Sequence, residues 1–66
     1  MGTLVRIMAA DGEIRIETTE SRAVEIYTAD GRIVASFRST GSDTVSVAAG
    51  IYVVKAGGMV KRVVVR

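Results

Sequence analysis

The side chains able to do chemistry in this chain are seven carboxylates, nine basic groups, two tyrosines and a scatter of hydroxyls, with no His and no Cys. Without imidazole or thiol there is no zinc site of the usual ligand types, no thiol nucleophile and no histidine base. Asp11, Asp30 and Asp43 each stand alone beside a glycine or a serine, so they read as turn formers, not as the dense oxygen cluster of a calcium loop. Glu13, Glu17 and Glu25 alternate with isoleucines or valines, which makes them the wet face of strands instead of a general acid and base pair. Ser36, Ser39, Ser42 and Ser46 have no histidine to activate them, and Lys55 and Lys61 would serve as bases only if buried. Gly57-Gly58 has no helix-forming run after it to make a phosphate cradle. Tyr27 and Tyr52 suggest a thin carbohydrate-stacking platform at most, with Tyr52 better read as a core residue. The expectation is a protein that is not an enzyme and binds no cofactor or metal.

The elements that position these groups have a period of two. Glu13-Ile14-Arg15-Ile16-Glu17-Thr18 alternates charged and β-branched residues, as a half-buried strand does. Ala23-Val24-Glu25-Ile26-Tyr27-Thr28 repeats the scheme, and Arg32-Ile33-Val34-Ala35-Ser36-Phe37-Arg38 follows with Ile33, Ala35 and Phe37 on one side. Further strands are expected over residues 4–8, 44–47, 51–56 and 59–65, which makes seven. Asp11-Gly12, Asp30-Gly31 and Gly57-Gly58 mark tight hairpins, because Gly reaches positive φ freely and Asp bonds its own backbone. Thr40-Gly41-Ser42-Asp43 marks a longer loop and Ala48-Ala49-Gly50 a tight connection. Turn signals at this spacing predict an all-β, Ig-like or fibronectin-like antiparallel sandwich of about seven short strands. At 66 residues the chain is one domain, 1–66.

Charge is unevenly spread. Residues 1–33 carry four basic and six acidic side chains, whereas residues 34–66 carry five basic and one acidic. The overall balance of +2 and only three aromatic residues argue against nucleic acid as a partner. No apolar stretch approaches the roughly 20 residues of a transmembrane helix, and the beginning of the chain does not read as a secretory leader. The last strand, Met59-Val60-Lys61-Arg62-Val63-Val64-Val65-Arg66, is partly apolar on both faces: Met59, Val63 and Val65 are expected inward, with Arg62, Val64 and Arg66 facing the other way. As an edge it would offer backbone groups to a partner, with its cations acting as recognition charges or as guards against aggregation.

Three segments carry a family resemblance: Val24-Glu25-Ile26-Tyr27-Thr28-Ala29-Asp30-Gly31-Arg32-Ile33-Val34, then Ala49-Gly50-Ile51-Tyr52-Val53-Val54-Lys55-Ala56, then Lys61-Arg62-Val63-Val64-Val65-Arg66. Over about residues 13–66 the chain resembles the C-terminal sorting domain of type IX secretion cargo proteins. That resemblance implies a non-catalytic domain at the end of a larger exported protein of a Gram-negative bacterium, in transit through the periplasm and then at the cell surface or secreted. Its implied partners are the outer-membrane secretion machinery and a covalently linked upstream cargo. Carried over by position, Gly31, Gly50, Tyr52 and Val54 match the family's structural motif. Lys61, Arg62, Val63, Val64, Val65 and Arg66 match its terminal recognition strand. The family's Tyr-Pro-Asn-Pro-like opening and its Leu-Pro step have no counterpart, since Met8-Ala9-Ala10-Asp11-Gly12 and Val47-Ala48-Ala49 stand there. A structural or adhesive β-sandwich module of a surface protein is the alternative expectation.

Overall fold

The computed structural model describes residues 5–66, so Leu4 and the residues before it lie outside the described part. The period-two segments form β1 (Val5–Ala10), β2 (Glu13–Thr18), β3 (Arg22–Thr28), β4 (Ile33–Ser39), β5 (Ser42–Ser46), β6 (Gly50–Ala56) and β7 (Met59–Val65). No helix interrupts them among the described residues, and none is therefore long and apolar enough to cross a membrane. One sheet has the order β1-β2-β5 and the other β4-β3-β6-β7, with every pairing antiparallel.

Three hairpins follow from turn chemistry. Asp11-Gly12 joins β1 to β2, Asp30-Gly31 joins β3 to β4, and Gly57-Gly58 joins β6 to β7. At Asp30-Gly31 the backbone of Gly31 has a φ of 93°, a left-handed conformation in which a side chain is strained. There Thr28 N donates to Arg32 O at 2.8 Å, Gly31 N to Thr28 O at 3.0 Å, and the Thr28 hydroxyl donates to an Asp30 carboxylate oxygen. This hairpin fixes the fold's three-plus-four division, because it keeps β4 beside β3. In a constant-type immunoglobulin domain the fourth strand pairs instead in the other sheet.

The inward residues of the two sheets meet in one core. Ile7, Ile14 and Ile16 from the first sheet pack with Val24, Ile26, Tyr52, Val54, Ala56, Val63 and Val65 from the second. Val5, Ala35, Phe37, Val45 and Val47 close its margin. The Cα radius of gyration, 10.9 Å, is close to the value of about 11 Å expected for a compact chain of this length.

Two expected core residues are not in it. Ile33 is 52% exposed, because the β3–β4 register shifts at Ile26/Tyr27 and a bulge there takes the first residue of β4 out of step. Met59 is 41% exposed although it shares the parity of Val63 and Val65. It pairs with the buried Ala56 at the hairpin end of β7, but on the outermost strand of its sheet. Ser39, conversely, is fully buried, and its hydroxyl donates to Asp43 Oδ2 at 2.7 Å, which satisfies it. Gly50 lies within β6 instead of in the connection before it.

Candidate functional site: the last strand and the sheet that carries it

The segment β7 forms because Val60, Val63, Val64 and Val65 favour extended backbone and β6 offers a complete antiparallel partner, from Gly50↔Val65 to Ala56↔Met59. Alternation divides the six residues expected to form a recognition strand. Val63 and Val65 are core residues. Lys61 shares their parity, and its Nζ donates to Ile7 O of β1 at 3.0 Å, so the ammonium spans from one sheet to the other. Arg62 and Val64 lie on the outer face of the four-stranded sheet, and Arg66 is exposed just after β7. The carbonyl of Arg66 accepts a hydrogen bond from Gly12 N at 2.8 Å, which ties the end of β7 to the β1–β2 turn. Of the expected recognition side chains, Arg62, Val64 and Arg66 are thus displayed, Lys61 is exposed but engaged with β1, and Val63 and Val65 are in the core.

The motif residues carried by the resemblance are structural in their geometry. Tyr52 is 7% exposed, and its hydroxyl donates to Ala48 O at 2.7 Å, four residues upstream. A buried tyrosine bonding back to the backbone before its own strand is the arrangement of the tyrosine corner of Greek-key sandwiches. Gly50 lies under this ring: a Cβ placed there would be 3.7 Å from Tyr52 Cε2. Val54 is fully buried and pairs with Ile26. Gly31 serves the β3–β4 hairpin.

The register also assembles a surface that the sequence reading missed. Ile51 lies beside Val64, Val53 beside both Arg62 and Tyr27, and Lys55 beside both Val60 and Glu25, all on the outer face of the four-stranded sheet. Val60 and Val64 are 62% and 61% exposed. The signal for it was the run Ile51-Tyr52-Val53-Val54, which does not alternate in polarity and so marks a strand apolar on both faces. On this face Lys55 Nζ stands 5.5 Å from the Tyr27 ring centroid, a cation–π contact. Partial burial, followed by the Glu25 carboxylate, raises the Tyr27 phenol above its ordinary pKa. The outer face of the other sheet differs: Arg6 lies opposite Glu17, Met8 opposite Arg15, and Arg15 pairs with Glu13. With Tyr52 in the core and Tyr27 outside, the two rings do not form a stacking platform.

Asp11 and Asp30 sit in hairpin turns, whereas Asp43, with Ser42 before it, belongs to β5 instead of the loop expected over 40–43; among the described residues no group of three His, Cys, Asp or Glu is placed to hold a metal ion. Hydrogen bonding by Thr28, aided by backbone N–H groups and opposed by slight desolvation, lowers the pKa of Asp30. Comparison with protein-family models, with curated proteins and with solved structures finds no match.

Proposed function

We propose that this domain is a non-catalytic sorting signal that directs a covalently attached cargo protein through the type IX secretion system to the cell surface, with the outer-membrane secretion machinery as its partner. The observation that carries the reading is the display of Arg62, Val64 and Arg66 along an ordered strand at the edge of the four-stranded sheet. A receptor reading such a strand would meet two guanidinium groups flanking an exposed valine, a pattern suited to an acidic, partly apolar groove. Gly31, Gly50, Tyr52 and Val54 would act indirectly, by holding the sandwich that presents the strand.

A second reading, a structural or adhesive module of a surface protein, is favoured by a different observation. Lys61 and the Arg66 carbonyl are engaged with β1 and the β1–β2 turn, and Val63 and Val65 are core residues, so the strand is also a closing piece of the sandwich.

The test fuses the domain to a folded reporter in a bacterium that possesses the type IX system. Deleting residues 61–66 removes core valines, so the informative variant is Arg62→Glu/Arg66→Glu, which changes only exposed side chains. The sorting reading expects the intact fusion at the surface and the charge-reversed one retained in the periplasm, both folded. Surface display of both, or of neither, would leave the structural module as the function.

A further inference from the structure

We infer that the free edge of β4 pairs with β4 of a second copy of this chain, so that two four-stranded sheets join into one eight-stranded antiparallel sheet. The inference does not depend on the sorting reading.

The edges of the sandwich are unequally protected. On one side β7 and β1 lie together, joined by Lys61 Nζ to Ile7 O and by Gly12 N to Arg66 O. At the other side the β5 edge has five residues and is polar apart from Val45. The β4 edge has seven residues, four of them apolar: Ile33, Val34, Ala35 and Phe37. It pairs with β3 alone, and among the described residues no turn or loop backbone group bonds to residues 33–39. Edges of natural sheets are ordinarily blunted by proline, by lysine or by covering loops. Here the single charge is Arg38, whose guanidinium donates to Oγ of Ser21, the residue just before β3, at 3.3 Å. The edge is therefore largely apolar, with a bulge at its start and Arg38 as its one charge, held toward Ser21.

The strand is also complementary to itself. A two-fold axis through Ser36 sets Ser36 beside Ser36 and Ala35 beside Phe37 of the second copy, with Arg38 opposite the bulged Val34 and the irregular start of β4 at the margin of the pairing. On the core-facing side this sets the small Ala35 beside the large Phe37, both now at the core margin. Sliding by two residues so that Ala35 meets Ala35 would put Arg38 opposite Arg32, and centring on Arg38 would oppose two guanidinium groups. Antiparallel pairing about Ser36 avoids both repulsions.

The chain has no cysteine, so a single introduced thiol reports the register without background. Ser36 is exposed. Under mild oxidation Ser36→Cys is expected to form a covalent dimer, because directly opposed Cβ atoms lie about 4.5–5.5 Å apart. Arg38→Cys is expected to stay monomeric, because the two thiols would be four residues, or about 14 Å, apart along the strands. In sedimentation velocity the unmodified protein is expected to show a monomer–dimer equilibrium, and Ser36→Lys, which sets two ammonium groups face to face, is expected to weaken it at least tenfold. Circular dichroism establishes that each variant is folded, and if Ser36→Lys is not, the cysteine pair decides alone. A monomer at every concentration, equal cross-linking of the two cysteines, or a dimer that survives Ser36→Lys but is lost on Val53→Asp would overturn the inference. The last result would place the contact on the outer face of the sheet instead.

Discussion

Tyr52 is a sharp test of how this small sandwich is held together, because its ring and its hydroxyl do separable work. The ring is buried among the core residues and the hydroxyl closes the Ala48 carbonyl at 2.7 Å. Tyr52→Phe removes only the hydrogen bond, a net loss of about 1 kcal/mol. Tyr52→Ala also removes the ring, and truncation of a buried aromatic costs about 3–5 kcal/mol. A chain of 66 residues has a total stability of about 3–10 kcal/mol on the usual per-residue scale. The alanine variant therefore loses about 30% of that stability or more, while the phenylalanine variant remains folded with its midpoint lowered by about 4–8 °C. The assay is thermal and urea unfolding followed by far-UV circular dichroism, since there is no Trp to serve as a fluorescent probe. A loss below about 1 kcal/mol for Tyr52→Ala would refute the placement of the ring in the core. Equal losses for the two variants would refute the division between ring and hydroxyl.

Other perturbations test other parts of the fold. Gly31→Ala should destabilise by about 1–2 kcal/mol, because the backbone there is left-handed and no atom within 4 Å could compensate, whereas Gly58→Ala, without a positive φ and equally open, should be neutral or slightly stabilising in the same urea titration. Lys61→Met should lower stability by about 0.5–1.5 kcal/mol by unpairing the Ile7 carbonyl, and native-state hydrogen exchange should show the β1 amides opening faster; unchanged exchange would refute the cross-sheet tie. Asp30 has its pKa lowered on folding, chiefly by Thr28, so its contribution is present above the unfolded value of about 3.9 and fades as pH falls through the lower folded value. Asp30→Asn should accordingly be less stable than the parent at pH 7, with the two thermal midpoints converging below pH 4; a constant difference would contradict that linkage.

Much of this architecture is legible in the sequence because alternation is a direct image of burial. Ile14, Ile16, Val24 and Ile26 announce their strands and are all fully buried, and each Asp-Gly or Gly-Gly pair ends where a hairpin turns. Failures occur where a residue's fate depends on how its strand meets another, which alternation within one segment does not encode. Ile33 has the right parity but meets a bulge that its own segment does not encode, and Met59 has the right parity but sits at the hairpin end of an edge strand, 41% exposed. The burial of Ser39 depends on Asp43 across the β4–β5 turn. Lys61 reads as a solvated charge until residue 7 is placed beside it. At the candidate site, the division of β7 into displayed and core side chains follows from parity alone, whereas the apolar outer face needs the register of three strands.

The interleaving of the two sheets has a consequence for how the chain acquires its structure. One sheet takes β1, β2 and β5 while the other takes β3, β4, β6 and β7, so neither is complete until the chain has passed back and forth between them. The contacts that join β1 to β7 span nearly the whole described length, Lys61 reaching residue 7 and Arg66 reaching residue 12. Such long-range closure is entropically expensive to begin and is rewarded only at the end, which places folding in the millisecond-to-second range and makes it cooperative. Without β7 the β6 edge would be unpaired and Val63 and Val65 missing from the core, so β7 is the piece on which closure of the sandwich turns.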